Sequence, residues 1–116
     1  MNQINLNNQQ VTIDISGWDS FWSFKKKVSF ARNNIIQAFR YNQNIAPPWL
    51  RNPGTAIPGK IIAGTYQNLK NRREFWCTHF NGNTIVIDLK QEKYSRIVCD
   101  LPEDEPVDQW IAKLTI

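Results

Sequence analysis

Soft and imidazole ligands are scarce: the 116 residues hold one histidine, two cysteines and one methionine. A structural zinc site needs about four nitrogen or sulfur ligands. His79 with the widely spaced Cys77 and Cys99 falls short of that, so no metal and no cofactor is expected. Two distant thiols are no disulfide framework either. No apolar run approaches the ~18 residues of a membrane span. The opening MNQINLNNQQ has neither the basic nor the apolar region of a secretory leader. The expected setting is therefore a reducing cytoplasm, with both thiols acting as small buried hydrophobes. With 41% hydrophobic and 12% aromatic residues and only five glycines, collagen, coiled coil and disorder are excluded.

What is present is aromatic and basic. Five Trp and six Phe supply a core for one domain, expected over residues 10–116 behind a polar segment 1–9. That segment is expected to fray or to form an edge. Formal charge is +4, unevenly spread. Residues 1–73 hold ten basic and two acidic groups, and residues 74–116 hold four basic and eight acidic groups. Such asymmetry orients a small protein toward a polyanion or an anionic membrane, or simply keeps it soluble.

Val11, Ile13 and Ile15 alternate with polar residues, the mark of a strand with one apolar face. Trp18, Phe21 and Trp22 then stand at helical spacing, a short helix turn. Strands are expected at 28–30 and 35–41, the latter with Ile35, Phe39 and Tyr41 on one face. Residues 44–60 carry four of the six prolines. Proline fixes φ and lacks an N–H, so a long stiff loop is expected there, anchored by Trp49, Leu50 and Ile57. Further strands are expected at 60–67, 73–80, 84–89 and 94–101. Asn81-Gly82 reads as a tight hairpin turn between two of them.

The period then changes. Val107, Trp110, Ile111 and Leu114 form one helical stripe behind Pro106, with Glu103, Asp104, Glu105 and Asp108 at the end that favours negative charge. Seven strands and a plugging helix describe a mainly β fold. The expected form is a partly open seven-stranded antiparallel barrel, with a short helix after the first strand and an amphipathic C-terminal helix.

LRNPGTAIPGKIIAGTY, residues 50–66, resembles a signature of small bacterial proteins of pleckstrin-homology (PH)-like fold. The similarity continues through REFW (73–76), TIVIDL (84–89) and YSRIVCDL (94–101). Upstream, ISGWDSFWSFKKKVSF (15–30) looks like the family's first strand, short helix and second strand. It covers roughly residues 10–115. Cys77 departs from the acidic residue expected at its position. The resemblance implies a PH-like barrel and no particular activity, since such folds hold lipids, peptides and proteins alike.

Three chemistries are weighed on the residues. Gly54 to Lys60 matches G-x-x-x-x-G-K, but Ile61 replaces the Ser or Thr that would hold Mg²⁺, and a strand-like run comes next instead of a helix. Cys77, Cys99 and His79 are the only material for a nucleophilic enzyme. Cys77 and His79, two apart on a strand, would be separated by about 7 Å. An enzyme is not expected. Lys25, Lys26, Lys27, Arg32 and Arg40 flank the link between two consecutive strands, where PH domains hold anionic headgroups. Single-stranded nucleic acid is disfavoured, because Trp18, Trp22, Trp76 and Trp110 fall at core positions.

The expected function is a non-enzymatic binding or scaffolding module for a protein partner. Its surface would be Trp49, Arg51, Pro53, Gly54, Thr55, Pro58 and Gly59, with anionic lipid as the alternative ligand. Open strand edges also permit a homodimer.

Overall fold

Alternating apolar residues and short polar links build nine strands and a C-terminal helix among the described residues. The computed structural model describes residues 2–7, 9–15, 27–42, 50–57, 61–67, 72–79, 82–102 and 104–114. The strands are β1 (Asn2–Leu6), β2 (Gln10–Ile15), β3 (Lys27–Ala31), β4 (Ile35–Arg40), β5 (Leu50–Ile57), β6 (Ile61–Gln67), β7 (Arg73–Thr78), β8 (Thr84–Leu89) and β9 (Arg96–Asp100). A 3-10 turn, Arg32–Asn34, joins β3 to β4, and helix α1 spans Val107–Leu114.

The molecule is mainly β, as expected, but it is not one barrel. The described strands form a three-stranded sheet, β1-β2-β3, and a six-stranded sheet, β4-β8-β9-β7-β6-β5. The short helix expected after the first strand lies outside the described residues. The polar segment 1–9, expected to fray or to form an edge, supplies β1, an edge strand of the smaller sheet. Ile4 is buried opposite Ile13, and the Asn7 carboxamide accepts N–H bonds from Gln9 and Gln10 at the turn.

The core lies between the two sheets. Val11, Ile13, Ile15, Val28 and Phe30 pack with Phe75, Ile85, Ile87 and Ile97 of the larger sheet, and with Val107, Trp110 and Leu114 of α1. A second cluster covers the other face of the larger sheet: Tyr66, Trp76, Val86 and Val98, with Phe39, Tyr41 and Ile62 against it. The near-continuous apolar run of β8 results from this, since a strand covered on both faces needs no alternation.

Three sequence expectations are corrected. Ile35 does not share a face with Phe39 and Tyr41. A register shift between Ile35 and Gln37 inserts one residue, which sends Ile35 to the inner cluster and Phe39 and Tyr41 to the outer one. Ile36, at the irregularity, is 61% exposed. Residues 50–57 are not loop but β5. Proline is tolerated because β5 is an edge strand and Pro53 sits at a register shift between Asn52 and Gly54.

Finally, β7 and β8 are not hairpin neighbours. β9 lies between them, parallel to β7 and antiparallel to β8. Asn81 lies outside the described residues. Gly82 does hold φ +85°, but in a crossing over the end of β9 and not in a two-residue turn.

Two polar residues hold that crossing. Asp100 is buried and accepts from Thr78 Oγ1 and Thr84 Oγ1, each at 2.6 Å, and from the His79 N–H at 2.7 Å. One carboxylate thus joins β7, β8 and β9. Asn83 Nδ2 donates to the carbonyls of Pro102 at 2.9 Å and Glu105 at 3.1 Å, while its Oδ1 accepts the Val107 N–H at 3.0 Å. Asn83 therefore caps α1 from a distant strand end.

Asp100→Ala removes an acceptor shared by three donors, two of them buried hydroxyls. It is expected to lower unfolding free energy by about 2–4 kcal/mol in urea titrations. Asn83→Ala is expected to cost about 1–2 kcal/mol, as other cap losses do.

Candidate functional site

The expected partner-binding residues fall on the outermost strand of the larger sheet. Arg51 stands opposite Tyr66, Gly54 opposite Gly64, and Thr55 opposite Ala63. Pro53 occupies the irregularity. Trp49, Pro58 and Gly59 lie outside the described residues. Gly64 is in turn opposite Trp76, the largest fully buried side chain among the described residues. Two successive strands beside this indole thus carry no side chain at its level. Gly64 also holds φ +128°, which side-chain-bearing residues rarely adopt. The glycine of the AGTY string is explained by that backbone conformation.

The expected basic cluster is not assembled among the described residues. Lys25 and Lys26 lie outside them. Lys27 is exposed at the start of β3, opposite Asp14. Arg32 is in the link between β3 and β4, where its Nη2 donates to the Lys113 carbonyl at 3.1 Å. There its charge faces the negative end of α1. Arg40 is at the far end of β4, where it donates to the Gly82 carbonyl at 3.1 Å and pairs with Asp108 at 3.4 Å. Arg32 and Arg40 thus sit at opposite ends of α1. The physical reason is strand length: a five- or six-residue strand carries its ends about 17–20 Å apart.

The thiols face the inner core. Cys77 and Cys99 are buried, and burial pushes the Cys99 thiol well up, with the neighbouring Cys77 and Asp100 acting in the same direction. A buried, protonated thiol is a poor nucleophile. His79 comes directly after β7 and is exposed, whereas both thiols are buried.

A polar row crosses the outer face of the larger sheet that sequence reading did not find. Its register runs Gln37, Asp88, Arg96, Glu74 and Tyr66 across five strands, from β4 to β6. Arg96 donates from Nε to Asp88 Oδ1 at 2.6 Å and from Nη2 to Asp88 Oδ2 at 3.3 Å. Gln37 Nε2 donates to the same Asp88 Oδ2 at 2.7 Å. Trp76 Nε1 donates to Glu74 Oε1 at 3.0 Å, and the Arg96 guanidinium stacks 5.9 Å from the Phe39 ring centre.

The only sequence signal was a charge in phase within each apolar run, Asp88 in TIVIDL and Arg96 in YSRIVCDL. That signal cannot tell which strands are neighbours. Gln37, Asp88, Arg96 and Glu74 line an open groove of about 570 Å³, together with Arg72 and Lys90. A second, smaller hollow of about 130 Å³ opens between the sheets beside Phe30, Glu92 and Tyr94. Among the described residues no three potential ligands are grouped for a metal, and no helix is long and apolar enough to cross a membrane.

No protein-family model matches the chain, and no curated protein or solved structure is significantly similar to it.

Glu74 is half-buried, and desolvation raises its carboxyl above the ordinary range, opposed by the Trp76 hydrogen bond and the Arg96 charge. The folded state therefore binds its proton more tightly than the unfolded chain does. That contribution is present in acid and is lost as pH rises through the folded value. Glu74→Gln is expected to be more stable than wild type at pH 7 and to lose this advantage near the ordinary glutamate value of 4.5, measured by urea titration at both pH values. Arg96→Ala leaves Asp88 without its bidentate partner, and its expected cost is about 1.5–3 kcal/mol in the same assay.

Proposed function

We propose that the protein is a non-enzymatic binding module that takes an extended segment of a partner protein along the outer edge of β5. The observation that carries this reading is the position of Leu50–Ile57. It ends the six-stranded sheet, and β6 is its sheet neighbour. An edge strand offers backbone donors and acceptors at strand spacing. An extended peptide that adds there gains affinity from main-chain bonds and specificity from alternate side chains.

The platform behind the edge is rigid. β6 and β7 bury Ala63, Tyr66, Phe75 and Trp76. Pro53 removes one donor, and the irregularity beside it bends the strand. That combination discourages indiscriminate pairing and favours one register. Arg51 and Thr55 would contribute side-chain selection, with Trp49, Pro58 and Gly59 flanking in sequence.

Binding of this kind needs no cofactor, metal or catalytic group. It suits a PH-like domain of the kind the sequence resembles, with a C-terminal helix packed on a β-sheet. The fold itself does not choose the ligand. The alternative ligand, an anionic membrane, would require Lys27, Arg32 and Arg40 to act together, and two of these already hold the ends of α1.

Selection from a library of extended peptides, followed by amide hydrogen exchange, tests the proposal. The expected result is protection confined to residues 50–57 and a Thr55→Lys variant that binds about tenfold more weakly, or ~1.4 kcal/mol. Absence of any binder overturns it. So does salt-sensitive binding to anionic vesicles with protection over Lys27–Ala31, which would move the function to the basic residues.

A further inference from the structure

We infer that Cys77 and Cys99 are a cross-strand dithiol pair that closes to a disulfide during oxidative folding and staples the inserted strand β9 to β7. The chain has two cysteines, and the parallel pairing of β7 with β9 places them directly opposite each other. Both belong to the inner cluster, so both side chains leave the sheet on the same side. Neighbouring strands are about 4.8 Å apart, inside the ~4.4–6.8 Å window of Cα separations that a disulfide spans. Burial first, and then the neighbouring Cys77, push the Cys99 thiol up, so both sulfurs rest protonated in the folded sheet.

The position gives the bond a consequence. β9 enters the gap between β7 and β8 after both have been laid down in sequence, and Asp100 comes directly after Cys99. A bond at Cys99 would hold β9 in that gap beside the carboxylate that joins the three strands.

The chemistry is exchange with a low-molecular-weight disulfide such as oxidised glutathione. One cysteine thiolate attacks the disulfide, a mixed disulfide forms, and one glutathione leaves as thiolate. The second cysteine thiolate attacks the mixed disulfide at the protein sulfur and expels the second glutathione. The protein loses two electrons and two protons, and one oxidised glutathione becomes two reduced molecules.

Access decides when this happens. Cys77 is 1% exposed and Cys99 0%, so a disulfide reagent reaches them only when the sheet opens or before it forms. In a reducing compartment the pair remains as thiols.

The test uses the unmodified chain. It is unfolded, then refolded in oxidised glutathione, with a parallel sample refolded under reducing conditions. The expected product is a monomer lighter by two hydrogens, with a peptide joining Cys77 to Cys99 and no thiol titratable in denaturant. It should keep the circular dichroism of the reduced protein and unfold at a higher denaturant concentration. In the reduced, folded protein, both thiols should resist a thiol reagent until denaturant is added. Persistent thiols, stable glutathione adducts, disulfide-linked dimers or a bridged chain without the native spectrum would each overturn the inference. So would native thiols reacting as fast as exposed ones.

Discussion

The structure depends on one carboxylate at the end of one strand. β9 is the last strand in the chain, yet it lies between β7 and β8. Insertion of this kind brings together residues with no local reason to meet. Asp100 supplies the reason. It accepts from Thr78 on one side, from Thr84 on the other, and from the backbone of the chain crossing over it. The three bonds converge where burial limits competition from water. Asn83, in the same crossing, then fixes the start of α1. Helix, crossing and central strands are therefore one cooperative unit.

With β9 in place the larger sheet acquires two different faces. The inner face is apolar and meets the smaller sheet and α1. The outer face combines an apolar band around Trp76 with a polar row in which Arg96 and Gln37 both bond Asp88. Arg96, Asp88 and Gln37 satisfy one another, so this row resembles a structural seam more than an open ligand site. The larger sheet ends at β4 and at β5, and α1 packs beside β4. That is why the proposed function rests on β5 and not on the most charged part of the surface.

Small irregularities carry much of this design. One extra residue near Ile36 turns Phe39 and Tyr41 to the outer face, where Tyr41 meets Trp76 edge-on at 6.0 Å between ring centres. One irregularity at Pro53 lets a proline-rich segment become a strand. Each is a shift by a single residue. Strand side chains alternate with period two, so each shift exchanges the faces of all later residues in its strand.

Local patterning in the chain was enough to specify the mainly β character, the C-terminal helix with Val107, Trp110 and Leu114 inward, and all seven of the strands marked by alternation or apolar runs. Those signals are short-range: apolar spacing and capping chemistry act within a few residues. They did not specify β5, because proline's local penalty vanishes at a sheet edge. Nor did they reveal the Asp88–Arg96 pair, the clasp at Asp100 or the Cys77–Cys99 facing pair. Proximity in sequence grouped Lys27, Arg32 and Arg40, whereas strand length and α1 separate them. These features depend on which strands are neighbours. That was settled only in three dimensions, when long-range burial placed β9 between two strands that are consecutive in the chain.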